Sequence, residues 1–170
     1  MKTINKMEIN LLYAVKHNDL ELAKELITKG ADVNQKDSSG NSLLIVSSAN
    51  GSAEMVQLLL SSGAALDAVD ANMKATALHA AAYLGHPEVM KLLVERGIDL
   101  NIQGPYNGYT ALHDAVLRNN TEGVKILVES GANVNLKGHD GNTPSMLAKR
   151  QGNSEISEIF NQSFHKTIVK

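Results

Sequence analysis

The sequence contains no cysteine, which excludes disulfides, zinc–thiolate sites and thiol nucleophiles. It contains no block of basic residues and carries a formal net charge of −2. Nucleic acid is therefore not expected as a partner, because phosphate binding needs concentrated Lys and Arg. No apolar run approaches the roughly 18 residues that a membrane-spanning helix requires. The first residues, Met1-Lys2-Thr3-Ile4-Asn5-Lys6-Met7-Glu8, have no apolar core of signal-peptide length, so a soluble, cytoplasmic chain is the expectation. There is no G-x-S-x-G elbow for a nucleophile and no G-x-x-x-x-G-K or G-x-G-x-x-G loop for a nucleotide. Aromatic residues make up 4% of the chain, with four tyrosines in all, so each one is informative.

What the chain has is a repeating unit, clearest between Thr76 and Asn101. Thr76 precedes a short Ala-rich run, Ala77 to Leu84, where a hydroxyl can cap a two-turn helix. Gly85 supplies the left-handed backbone that ends it. His86-Pro87-Glu88 restarts the chain, with proline tolerated in the first turn and the carboxylate at the positive end of the helix dipole. Val89, Leu92 and Leu93 then fall at i, i+3, i+4 on one face, and Lys91, Glu95 and Arg96 on the other. Gly97 stops the second helix. A pair this short cannot bury its own apolar face and needs copies stacked beside it.

The copies are present in register. The closing glycines Gly30, Gly63, Gly97 and Gly131 are spaced 63−30 = 33, 97−63 = 34 and 131−97 = 34 residues apart. The turn between the paired helices is Asn18, Gly51, Gly85, Asn119 and Gly152, all residue types that tolerate positive φ. After it come Asp19, Ser52, Asn120 and Asn153, good N-caps, with His86 the exception. Independent local rules thus recur in register along the chain.

This pattern resembles the ankyrin repeat. The residues that carry the resemblance are Gly30-Ala31-Asp32-Val33-Asn34, Thr76-Ala77-Leu78-His79-Ala80-Ala81, Thr110-Ala111-Leu112-His113-Asp114-Ala115, Gly131-Ala132-Asn133-Val134-Asn135 and Thr143-Pro144, and the resemblance covers about residues 5 to 160. It implies an all-α solenoid of about five stacked helix-turn-helix units with protruding β-turn loops, one domain over residues 1–170. The units are 5–36 as N-terminal cap, 37–69, 70–103, 104–137 and 138–160 as C-terminal cap, with 161–170 a tail expected to fray. In the second unit Ser42-Leu43-Leu44-Ile45 replaces T-P-L-H and Ser47-Ser48 replaces the Ala pair, so this unit is expected to be weaker. The turns that open the third and fourth units each carry one extra residue, which accounts for the 34-residue spacings.

His79 and His113 stand in equivalent places one unit apart. Stacked helices lie about 8–10 Å apart, too far for both to hold one metal ion. The resemblance implies instead that each hydrogen-bonds the turn backbone between repeats. His113-Asp114 and His139-Asp140 look like fragments of a catalytic pair, but neighbours on a helix point apart. No enzyme activity, cofactor or metal is expected.

Three of the four tyrosines, Tyr83, Tyr106 and Tyr109, fall in the two lengthened central units. By the ankyrin pattern Tyr106 and Tyr109 lie on or beside a protruding turn, and Tyr83 and Leu84 end a first helix facing a concave groove. Leu117 and Arg118 match them one unit later, and Met73 sits on the preceding turn. These types are enriched at interface centres. Asn50, His139 and Arg150 would form a polar rim. The expected function is binding of another protein through this face, by a chain that is monomeric when free. Self-association through the same patch is the alternative, and a small enzyme or metal protein using His79, His113 or His139 a more distant one.

Overall fold

The computed structural model describes residues 10–168, and side chains as far as Ser163. Residues 5–9 of the first unit and the last two residues of the tail lie outside the described residues. Among the described residues, ten helices follow one another as five antiparallel pairs. The first helix of each pair is α1 (Leu11–Lys16), α3 (Leu43–Ala49), α5 (Ala77–Leu84), α7 (Ala111–Leu117) and α9 (Pro144–Gln151). The second is α2 (Leu20–Thr28), α4 (Ala53–Ser61), α6 (Pro87–Glu95), α8 (Thr121–Glu129) and α10 (Ser154–Ile168). First helices pack on first helices and second on second in chain order, which is a solenoid.

The local rules produce these elements as the sequence predicts. Each inter-helix turn takes a left-handed residue, at Asn18, Gly51, Gly85, Asn119 and Gly152, and so does each closing glycine, Gly30, Gly63, Gly97 and Gly131. Asp19, Asn120 and Asn153 cap their helices, accepting from Leu22 N, Gly123 N and Ile156 N. Thr76 and Thr110 open α5 and α7 with a capping box in which a histidine takes the place of the usual Glu or Gln. Ser52 does not cap α4; its hydroxyl donates across to the Asn18 side-chain oxygen.

The lengthened turns are visible as backbone ladders. The turns closing 37–41 and 138–142 join residue n to n+4, through Asp37 N to Asn41 O and Gly138 N to Asn142 O. Those of the third and fourth units join n to n+5, through Asp70 N to Ala75 O and Gly104 N to Tyr109 O. In the turn without glycine, Lys74 adopts the positive φ of 53°. The Asp70 carboxylate holds that turn by accepting from Asn72, Met73 and Ala75 amides. Desolvation raises its pKa, but those amides outweigh it and leave the group below its ordinary value.

The fifth pair departs from expectation at its end. α10 runs through the residues expected to fray and reaches Ile168. Ile156 and Phe160 of this helix are buried, packing α10 against α8 and α9. The fourth pair is thus covered by a longer helix, on which Glu155, Glu158, Asn161 and Gln162 are exposed.

Candidate functional site

His79 and His113 are structural. His79 Nδ1 accepts the Thr76 amide at 3.2 Å and its Nε2 donates to Tyr109 O at 3.3 Å. His113 repeats this with Thr110 at 3.1 Å and Asn142 O at 3.2 Å. Both rings are buried, and burial holds both pKa values below the ordinary imidazole value, so the neutral form is favoured. Each therefore clamps its own helix start to the next turn. Among the described residues no group of three or more His, Asp or Glu side chains converges as a metal site. His86, the odd N-cap, has a similar duty: its Nε2 donates to Ala49 O at 2.9 Å. Gly51 is glycine for the same reason, since a Cβ there would lie 2.5 Å from the His86 ring.

The residues expected to bind a partner divide into two exposed groups. At the turns, Met73 is 46% and Tyr106 80% exposed. These two turns touch, with Gly104 facing Met73 O. At the far end of α5, Tyr83 is 46% and Leu84 49% exposed. Tyr83 lies seven residues beyond Thr76, roughly 10 Å along the helix from the turn. Arg118 joins this second group: its guanidinium carbon sits 4.7 Å from the centre of the Tyr83 ring and its Nε donates to Tyr83 O at 3.3 Å. The cation–π attraction and the hydrogen bond tie the two side chains together. Asn50, His139 and Arg150 are exposed, as a rim requires.

Tyr109 and Leu117 are placed differently. Tyr109 is half-buried, stacks on His113 with ring centres 4.8 Å apart and planes 3° apart, and donates from its hydroxyl to Asp140 at 2.8 Å. Desolvation first, and then Asp140, pushes its pKa up. Hydrogen bonds from Asn142 and Tyr109 hold Asp140 down at about 2. Leu117 is half-buried and packs against the core. The Tyr109 side chain therefore ties the fourth unit to the fifth, and both side chains present only part of their surface.

Three further residues were not picked out as binding residues from sequence. Met146, 49% exposed, occupies in α9 the place that His79 and His113 hold in α5 and α7. Among the described residues no following turn lies beyond it to accept a bond. Tyr13, 36% exposed, stacks on His17 at 4.1 Å near the other end. Asp114, fourth in α7, is half-buried, and no hydrogen bond or ion pair of its carboxylate is seen among the described residues. Desolvation raises its pKa to about 7. The signal for Asp114 was in the sequence: counted back from the inter-helix turn, its equivalents are Tyr13, Val46, Ala80 and Leu147, none of them charged.

No helix among the described residues is long and apolar enough to cross a membrane. Comparison with known proteins gives three overlapping matches to the family described as ankyrin repeats (3 copies), over residues 11–104, 76–138 and 101–167. The palmitoyltransferase Hip14 of Drosophila melanogaster is 34% identical over 77 residues, which are 45% of this chain and 12% of that protein. The putative palmitoyltransferase ZDHHC13 of Danio rerio gives the same identity over the same coverage, 34%, 45% and 12%. The transient receptor potential cation channel subfamily A member 1 of Homo sapiens is 52% identical over 50 residues, 29% of this chain and 4% of that protein. The match thus spans about an eighth or less of each relative's own length. With the repeat geometry and the family match covering nearly all of the described residues, the chain belongs to the ankyrin repeat family.

Proposed function

We propose that this chain is a non-catalytic protein-binding module that engages one partner protein through its first-helix face and turns, acting as an inhibitor, an adaptor or an immunity-type masking protein. Ankyrin repeats are generally protein–protein interaction modules, which supports the class of function. The observation that carries the site is the exposure of Met73, Tyr83, Leu84 and Tyr106, four large apolar side chains on two successive units. Tyr83 and Tyr106 serve as anchors, with Arg118 held over Tyr83 as a stacked contact. Asn50, His139 and Arg150 make the polar rim. Tyr109 and Leu117 contribute the part of their surface that is left exposed.

Affinity capture from native extract with wild type and with Tyr83→Ala/Tyr106→Ala tests this. Neither side chain is part of the buried core, so the double variant should keep the wild-type circular dichroism and nearly the wild-type melting temperature. The expected outcome is a protein retained by wild type and lost by the variant. A partner held equally by both variants moves the site to another face.

A further inference from the structure

We infer that Asp114 is a specificity residue of this face, and that the partner segment seated over the third and fourth units presents a lysine or arginine side chain to it. The inference rests on reading this face as the partner-binding face. Asp114 stands on a row of first-helix positions whose other members are Tyr13, Val46, Ala80 and Leu147, so it is the one charge in that row. Its carboxylate is half-buried, and no hydrogen bond or ion pair to it is found among the described residues.

The cation nearest in sequence on the same helix face is engaged elsewhere. Arg118, four residues on, turns its guanidinium over the Tyr83 ring at 4.7 Å and its Nε to Tyr83 O at 3.3 Å. The contrast with Asp140 is direct: that carboxylate accepts from Tyr109 and from Asn142, and no acceptor capacity is left hanging in an apolar setting.

A carboxylate without a partner in a partly dry groove lowers the stability of the free protein. Desolvation alone accounts for the raised pKa of this group. A cation delivered by a partner offsets that cost on binding, because the pair forms where water is already thinned. The exposed apolar groups at either end, Tyr83 and Leu84 on one side and Met73 and Tyr106 on the other, set the length of segment that would bring such a side chain to the middle. An acidic or purely apolar segment would leave Asp114 buried and unpaired, so the same residue selects against those partners.

The test uses a displayed library of random nine-residue peptides, selected on the wild-type chain. Selected peptides are then measured on wild type, Asp114→Asn and Tyr83→Ala. Asparagine has nearly the same shape, so the fold is kept. The expected result is enrichment of Lys or Arg at one peptide position, with binding to Asp114→Asn weaker by about tenfold or more, the loss of one charge-assisted hydrogen bond. Replacing that Arg by citrulline should weaken binding to wild type equally and leave Asp114→Asn unaffected. Peptides that lose affinity for Tyr83→Ala but bind wild type and Asp114→Asn alike overturn the assignment of Asp114 and leave the face intact. Peptides indifferent to both variants overturn the face as well. A carbon-13 carboxyl titration of the free protein gives a second, independent reading. An Asp114 midpoint near that of an ordinary carboxylate, rising on Arg118→Met, would show the acid already paired with Arg118 and would also overturn the inference.

Discussion

The junction between the second and third units and the junction between the fourth and fifth are built from the same register, yet they are stitched very differently. At the second of these, His113 reaches Asn142 O, Gln151 reaches Leu117 O, Asn153 reaches Asn119, Lys125 pairs with Glu155 at 3.7 Å, and Tyr109 bonds Asp140. At the first, one side-chain hydrogen bond between units is seen among the described residues, from His86 to Ala49 O. The difference traces to single residues of the stitch positions. Ile45 stands where His79 and His113 stand. Asp67 stands where Asn34 and Asn101 stand, and those asparagines accept from Ala65 N and Asn133 N of the next unit. Gln57 stands where Lys91 and Lys125 stand, although Glu88 waits at the distance in sequence that Glu122 keeps from Lys91. Leu84 stands where Asn50, Arg118 and Gln151 each bond a preceding carbonyl.

The second unit is also poorer inside. Ser47 bonds back to Leu44 O, but the buried Ser48 hydroxyl has no partner among the described residues. The buried apolar side chains separate within this unit: Leu43, Met55 and Leu59 pack with the first unit, while Leu44, Ile45 and Val56 pack with the third onward. A crevice of about 270 Å³ lies at the seam, lined by Leu66, Asp67, Val69, Ile98, Asp99 and Ile102 among others. The lesson is that a repeat protein's stiffness is written junction by junction. Here the part with the denser inter-unit hydrogen bonding, units three to five, is the part that carries most of the exposed anchors.

The largest effect expected on this contrast comes from His113→Ala, which strands the Thr110 amide and Asn142 carbonyl at a buried site. It should cost about 2–4 kcal/mol in urea unfolding, making the strong junction resemble the weak one. Repairing the weak junction comes next. Ser48→Ala, Asp67→Asn and Gln57→Lys together should add about 1–3 kcal/mol. Most of that gain should come from Ser48→Ala and Asp67→Asn, and little from the exposed ion pair that Gln57→Lys would form with Glu88. A repaired chain no more stable than wild type would break the comparison.

The pH dependence is smaller and has two opposed parts. His79 and His113 have folded pKa values below the unfolded value, so they contribute stability above about pH 6.5 that is lost as pH falls through the folded values. Asp114 has a folded pKa raised to about 7, so its contribution is complete below about pH 4 and is lost as pH rises through 7. Between pH 6 and 8, wild type should therefore lose about 1 kcal/mol relative to Asp114→Asn, read from urea midpoints at each pH. In Asp114→Asn the acid loss due to the histidines remains, joined at lower pH by the loss from the depressed carboxylates Asp37, Asp70 and Asp140. The smallest change is Tyr109→Phe, which removes an exposed bond to Asp140 and should cost less than about 1 kcal/mol, seen as a slight drop in melting temperature.

Much of this was legible in the residues. Glycine and asparagine at the turns fix positive φ by local sterics, so the helix boundaries followed directly. The missing histidine clamp and the buried serine hydroxyls of the second unit were legible in Ile45, Ser47 and Ser48. The course of α10 was not, because past residue 160 the sequence carries no next turn motif to mark where the helix stops. The sequence places Tyr109 beside a turn, among the expected binding residues; it does not reveal that the following turn, Gly138 to Asn142, folds back onto its ring. The Asp67 and Gln57 gaps became meaningful only once the partners of their equivalents, about 31 residues away, were seen in place.

Native-state hydrogen exchange, followed amide by amide in low urea, tests the central contrast most directly. The account predicts that amides of α1 to α4 open together at a lower free energy than those of α5 to α9, and that the Ser48→Ala/Asp67→Asn/Gln57→Lys chain merges the two groups. A single opening free energy shared by all helices of the wild type, or a weakest point at the junction of the fourth and fifth units, would contradict it.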